Sequence, residues 1–528
     1  MTMRSRLLAA ALVAALAALW TPAHAFERVG DKKILVFAGN QEVPTIDPSV
    51  KYDWSIRMMQ QALYDGLVKY VGNPPEIVPW LAERWESSAD AKTWTFHLAK
   101  NARFTNGDPV TAEAVRWSFA RTLKLKLAGP AWTLDDFLKE DGIKVVDDHT
   151  IRFTLTQSYA PFLSWLPWWY VMNPKQVLAN QQGDDLGQKW LTTNAAGSGP
   201  FRIKRWEPGV LYEIEAVENY WKGWPSKDHV GGVILKMVRE AAVHRAGLIR
   251  GEFDIVTNLT ADDYDQVVKM PGIVVPNFPG MTTFGLKMNT QKGPTKDPNL
   301  RKALCYAFDY DSLLKIYNGN AKLQTSPFPN ATRGHIDVPG FYRQDLGKAR
   351  EFLAKSASPQ GGVELEYVYV TGLEEERKMG LVLLDNLSKL NIQVKMVPLT
   401  WPNMMARGAK VETSPDLLAV FTTPLSTDPD AVAYQYHKNS WGKYYGSSFY
   451  TNADVWGLVE RARSVAKWDE RAPIYAEIQK RITADAPEIF GMLANRRWGM
   501  RDHVKGFVFS PVRFTGEVDL YPLTIVAR

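Results

Sequence analysis

The sequence predicts an α/β fold built from more than one compact unit. Three observations carry this. At 528 residues the chain exceeds what one ordinary hydrophobic core supports, and about 150 residues per domain sets an expectation of roughly two to four domains. Two separate stretches, 233–256 and 363–398, each read as strand, helix, strand. That βαβ unit needs a sheet with helices packed on it. No low-complexity linker or internal repeat divides the chain.

Taken in order, the first 25 residues read as an address. Arg4 and Arg6 form a basic start, Leu7 to Trp20 is apolar, and Ala23-His24-Ala25 fits a small-x-small cleavage site. The mature chain is therefore expected to begin at Phe26. The apolar run falls short of the ~20 residues a membrane span needs, and no cysteine stands nearby to take a lipid anchor. The expectation is a soluble, unanchored periplasmic protein. Trp94, Phe96 and Leu98 alternate, as do Ile151, Phe153 and Leu155, which predicts half-buried strands of a smaller subdomain within 60–190. Val233 to Val238 is a β-branched run. An amphipathic stretch follows to Arg250, Gly251 stops it, and Phe253 to Val256 is a second strand. Asp297 caps a helix with Pro298 at its first position, and Leu300, Leu304, Ala307 and Phe308 form its apolar face. Val363, Leu365, Tyr367 and Tyr369 alternate with Glu364 and Glu366, a strand with one wet face. Met379, Leu383, Leu387 and Leu390 share one helical face. Ile392, Val394 and Met396 alternate again, and Pro398 is expected to end that strand. A last helix is expected to start around Pro473 and to turn Ile474, Ile478 and Ile482 inward.

Composition narrows the function classes. The chain is 45% hydrophobic and 23% charged, which is globular and neither disordered nor polytopic. A net charge of +6 spread over this length is not a nucleic-acid-binding stripe. The single cysteine, Cys305, excludes an intramolecular disulfide and any zinc site built on two cysteines, and it reads as a buried, inert thiol. No GxSxG elbow and no HExxH occur in the mature chain. Glu240 and His244 lie four apart and read as a surface helical pair. Asp428-Pro429-Asp430 reads as turn chemistry, although a pair of acids facing one pocket is what a glycosidase would need. No catalytic residue, metal ligand or cofactor site is assigned. A secreted hydrolase on an α/β scaffold stays as the alternative, because triads assemble in space. Aromatics are the outlying feature. Nineteen tryptophans are about two to three times a typical share. They cluster at Trp165, Trp168, Trp169 and Tyr170, at Tyr220, Trp221 and Trp224, and at Trp441, Tyr444 and Tyr445.

The chain resembles the large periplasmic substrate-binding proteins of ABC importers for oligopeptides, dipeptides and nickel, solute-binding protein family 5. The resemblance runs through Thr45-Ile46-Asp47-Pro48, Ala62-Leu63-Tyr64-Asp65-Gly66-Leu67, Pro79-Trp80-Leu81-Ala82 and Trp94 to Leu98. It continues through Phe104 to Ala112, Gly197-Ser198-Gly199-Pro200-Phe201, Asn219-Tyr220-Trp221, Arg301 to Asp311 and Tyr475 to Ala486. It implies a two-lobed, hinge-connected fold of the type II periplasmic class, with an extra subdomain in the first lobe. Lobe I would comprise 26–58, 190–284 and 498–528, the subdomain 59–189, and lobe II 285–497. Met281 to Met288 and Leu493 to Gly499 would be the crossings. It also implies a binding subunit rather than an enzyme, its partners a permease and an ATPase, with no nucleic acid and a monomeric state.

The ligand-binding residues expected are Trp401, Phe421, Thr422, Leu425 and Asp428. Trp401 and Phe421 stand beside loops that leave the second lobe's strands, where aromatic faces bury ligand at low entropic cost. In peptide-binding relatives an acid three residues before an Asp-Pro pair holds the peptide's ammonium. Here the pair is Asp428-Pro429, and the position three before it is Leu425; where oligopeptide binders carry tryptophan, this chain has Thr422. A buried ammonium costs several kcal/mol without a carboxylate partner. The expected solute is thus a peptide or a solute of peptide size, free peptides with a charged N-terminus not being the best ligands. An oligosaccharide or another neutral or anionic solute suits the aromatic, mildly basic character better.

Overall fold

The computed structural model describes residues 33–50, 54–127, 131–514 and 516–526. The expected signal segment, 1–25, and the expected new start at Phe26 lie outside them. Two large sheets and a four-stranded one organise the described residues, beside two two-stranded ribbons. The first has seven strands, in the order Ile273–Val274, Gly499–Arg501, Ile255–Val256, Ile34–Gly39, Gly232–Met237, Leu211–Ala216, Phe201–Glu207. The β-branched run at 233–237 lies parallel to Ile34–Gly39, and so does Ile255–Val256 on its other side. The first βαβ unit therefore straddles the central strand. Its helix, Ala241–Arg250, ends on Gly251 at φ +77°, a conformation that carries a steric cost for any residue with a Cβ. His244 is buried on this helix and bonds the Val238 carbonyl at 2.8 Å. The expected surface pair with Glu240 is thus corrected: the imidazole packs inward, and burial lowers its pKa.

The second sheet has six strands, in the order Ala321–Leu323, Glu488–Arg497, Asn277–Met288, Leu417–Thr422, Val363–Val370, Ile392–Leu399. Its βαβ unit pairs Val363–Val370 in parallel with Ile392–Leu399. The helix between them, Glu374–Ser388, buries Met379, Leu383 and Leu387 completely. Pro398 does not end the last strand; it pairs with Tyr369 inside it. Ile392–Leu399 is the sheet edge, where a missing N–H costs no ladder bond. Pro473 likewise sits inside a helix, Trp468–Asp485, which begins earlier than expected and still buries Ile474, Ile478 and Ile482. Cys305 is buried in helix Pro298–Ala307 and its thiol is pushed well up by burial, so it is inert.

The strands around Trp94 and Ile151 pair antiparallel in a four-stranded sheet, Ala82–Ser87, Thr93–Leu98, Thr150–Thr154, Ile143–Asp147. Its core is a ring stack in which Phe119 lies 4.8 Å from Trp169 and 5.0 Å from Phe153. The chain leaves the first sheet after Val274 and is already laddered in the second at Asn277, ahead of residue 285. It returns between Arg497 and Gly499. One close approach positions a helix of the first lobe. A Cβ on Gly197 would stand 2.0 Å from the Leu63 carbonyl oxygen, and one on Gly199 2.5 Å from the Leu63 carbonyl carbon. Two glycines let this turn lie against the end of helix Trp54–Leu63, which carries Arg57 and Gln61.

Candidate functional site

The lobes meet along a seam of aromatic and polar groups. Tyr70 and Trp168 from the subdomain, Met281 from the crossing strand and Val512 from the C-terminal segment form one buried cluster. Trp168 donates its indole N–H to the Leu425 carbonyl at 2.7 Å. Tyr159 donates its hydroxyl to Asp430 Oδ2 at 2.8 Å, and the Ala160 N–H reaches the Arg463 carbonyl at 3.0 Å. Burial and the adjacent Asp430 carboxylate raise the Tyr159 phenol well above its ordinary range, so it stays a donor. The Arg463 guanidinium lies 3.8 Å from the Tyr434 ring centroid and 5.3 Å from that of Tyr159.

Four of the five expected site residues follow one another out of strand Leu417–Thr422. Phe421 is half-buried against Phe284, with ring centroids 5.0 Å apart. The Thr422 side chain is buried. Leu425 meets the opposite lobe through its carbonyl. Asp428 is not a free acid: Arg471 grips it with two N–H···O bonds of 2.8 and 2.9 Å. Asp430 is equally committed, to Arg463 at 2.8 Å and to Tyr159. The Asp-Pro-Asp run is thus more than a solvent-facing turn, since both carboxylates anchor a loop through buried ion pairs. Trp401 stands apart. It is 44% exposed, begins helix Trp401–Gly408 at the sheet edge, and meets Tyr444 edge-on at 5.8 Å.

At the base of the seam lies a cluster of charges that the sequence reading missed. Arg57 stacks 3.7 Å from the Trp168 ring centroid and lies 3.5 Å from Glu517. Gln61 donates to Glu517 and accepts from Arg513 at 2.5 Å. Arg513 also reaches Asp519 at 3.0 Å, and Lys69 lies 2.9 Å from Asp519. Burial alone would raise the Asp519 carboxyl, but Lys69 and Arg513 hold it down at about 2. Arg496 donates to the hydroxyls of Thr282 and Thr423. Burial lowers its pKa to about 10, partly offset by Glu517, and it remains charged at neutral pH. Next to this cluster a small cavity is lined by Gln61, Lys69, Tyr70, Trp168 and Arg513. Asp65, on its far wall, takes donors from Trp80, Ser198, Tyr220 and Trp221 at 2.7 to 3.0 Å. These four bonds tie the block Ala62 to Leu67, quoted above for the family resemblance, to residues far along the chain.

Among the described residues no group of three or more histidine, cysteine or carboxylate side chains is placed to hold a metal ion. A two-lobed α/β architecture with a charged, aromatic seam between the lobes defines a solute-binding protein of the periplasmic class. The comparisons make this specific. Residues 76–444 match the bacterial extracellular solute-binding proteins, family 5, and the chain belongs to that family. It is 31% identical over 489 residues to the probable D,D-dipeptide-binding periplasmic protein DdpA of Escherichia coli, covering 91% of this chain and 92% of that one. It is 26% identical over 478 residues to the dipeptide-binding protein of the same organism, covering 85% and 87%. The solved structure of the Helicobacter pylori periplasmic binding protein DppA with the peptide STSA superposes with a TM-score of 0.80 at 24% identity, over 94% of this chain and 98% of that one. The chain is the solute-binding component of an ABC-type importer, acting in the periplasm, and not an enzyme. The hydrolase alternative falls with this assignment.

Proposed function

We propose that this chain captures a peptide-sized solute between its lobes by swinging about the two crossings, and that a charged N-terminus is not what it recognises. The names of the relatives support peptide size. The second half rests on one observation. At the position where peptide binders hold the ammonium stands Leu425, and the acids nearest to it in sequence, Asp428 and Asp430, are both locked in buried ion pairs. Moving either one to serve a ligand would strand a buried guanidinium, which costs about 3–5 kcal/mol.

In this reading 26–58, 190–284 and 498–528 move as one lobe with the subdomain 59–189, and 285–497 moves as the other. Trp401, Phe421, Thr422 and Leu425 face the solute, while Asp428 holds their loop. The chain is exported on a cleaved signal peptide, carries no lipid anchor, binds no nucleic acid, and visits its permease as a monomer. Calorimetric titration with di-, tri- and pentapeptides beside their N-acetylated forms tests the ligand reading. Acetylated forms should bind at least as well. Tight binding of free peptides, lost on acetylation, would restore recognition of the ammonium.

A further inference from the structure

We infer that the buried cations at the base of the cleft form a carboxylate-binding subsite, so that the natural solute of this chain is an organic acid. The inference rests on the reading that solute binds between the lobes, and it adds the chemical group by which solute is held there.

The argument is one of charge balance. Among the described residues Arg57, Arg496, Arg513 and Lys69 gather around two carboxylates, Glu517 and Asp519. Asp65, held by four neutral donors, lowers this excess of buried positive charge without removing it, and Lys222 is exposed to solvent. The two central acids are already occupied. Glu517 accepts from Gln61 and from the Phe514 N–H at 3.1 Å as well as facing Arg57. Asp519 takes Lys69, Arg513 and the Tyr521 N–H at 3.3 Å. A buried charge without a counter-charge costs several kcal/mol, even after relaxation.

Arg496 shows the imbalance best. It is 2% exposed, and its hydrogen-bond partners are two neutral hydroxyls, Thr282 and Thr423. Its Nε has no partner among the described residues, and neither has Nε of Arg513, which is 5% exposed. These groups also sit where a solute would lie. Arg513 lines the cavity. Arg496 stands one residue before the end of the returning strand and touches the lobe II loop through Thr423. Arg57 is stacked on Trp168, the residue that bonds Leu425 across the seam. A guanidinium offers a planar pair of N–H groups that fits a carboxylate better than it fits any neutral oxygen. The subsite draws its cations from the first lobe and the crossing, opposite the loop that lacks its acid. The cleft is thus polarised for an anion from one side without a balancing anion site on the other.

The test uses the mature full-length protein, stripped of carried-over solute by unfolding and refolding. Thermal unfolding is followed with matched acid and amide pairs: dialanine and its amide, N-acetyl-dialanine and its amide, succinate and succinamide, with inorganic phosphate and maltotriose as further arms. At least one acid should stabilise the chain, binding about tenfold or more tighter than its amide. Arg496→Met should lose at least about tenfold in that affinity and Arg496→Lys less. If Arg496→Met does not fold, Arg513→Gln is the second variant, and the acid–amide comparison in the wild type needs neither. Equal binding of acid and amide, a response to phosphate alone, or no acid that stabilises the chain overturns the inference. Small-angle scattering separates the two readings. An amide or maltotriose that binds and compacts the protein leaves capture between lobes standing and removes the subsite. Acids that bind without compaction keep the subsite and remove the closure.

Discussion

Replacing Tyr159 by phenylalanine should loosen the closed state without unfolding either lobe. The hydroxyl makes one bond across the seam, to Asp430 Oδ2 at 2.8 Å, and accepts one from Trp165 Nε1 at 2.9 Å. Asp430 keeps Arg463 in the variant, because both lie in the second lobe. What is lost is a buried hydrogen bond to a charged acceptor, worth about 1.5–3 kcal/mol. In the open form water solvates both groups, so the loss falls on closure alone. At about 1.4 kcal/mol per tenfold, the closing equilibrium should fall by roughly 10- to 100-fold. Affinity should fall by the same factor when the solute binds only the closed form. Small-angle scattering of solute-free wild type and Tyr159→Phe should show a larger radius of gyration for the variant, and calorimetry with the solute that native mass spectrometry recovers should show the weaker affinity. An unchanged thermal midpoint together with unchanged radius and affinity would refute the latch.

Leu425→Asp should give the cleft the acid it lacks; the variant should prefer free over N-acetylated dialanine by about tenfold or more in calorimetry, as a charge-assisted hydrogen bond allows. Trp401→Ala should weaken solute binding while the thermal midpoint stays within a few degrees, because the indole is 44% exposed; wild-type affinity in the folded variant would take Trp401 out of the site. Glu376 gives a pH prediction. Burial, together with the neighbouring Glu375, raises its carboxyl to about 8 against the Val370 N–H bond that lowers it. The folded state then holds a proton that the unfolded state releases near the ordinary 4.5. This stability is full below about 4.5 and is lost as pH rises toward 8. Glu376→Gln should be the more stable form at pH 8, by on the order of a few kcal/mol, and should flatten the profile of chemical denaturation against pH.

Periodicity made the sheets legible. Alternation in 363–369 and a four-residue repeat in 379–390 each mark a buried face, but the strand face expected to be wet carries Val368, fully buried against Met404, Leu418 and Val420, because helix Trp401–Gly408 covers it. Proline was misread twice, because its rule depends on neighbours. Pro398 is harmless on an edge, and an edge is a property of the sheet, not of the strand. His244 was read from its own helix, while the Val238 carbonyl that binds it belongs to the strand before. The site was less legible than the fold. Leu425 was found because it departs from a pattern. The charges were not, since Gln61 meets Glu517 across 456 positions and nothing local in Arg57, Arg496 or Arg513 marks it as buried. A run such as Arg496-Arg497 looks like a solvated surface until the crossing strand is folded over it.

The contacts between Gln61 and Arg513 and between Gln61 and Glu517 tie one of the first helices to the last twenty or so residues. The base of the cleft is therefore assembled from segments 452 and 456 positions apart in sequence. A chain made or threaded through a membrane from its N-terminus forward completes its second sheet before it possesses Arg513, Glu517 or Asp519. Until those residues arrive, Arg57 has no carboxylate at Glu517 to face and the cavity has no floor. A partly emerged or C-terminally clipped chain therefore lacks this charged base, however well its sheets are formed.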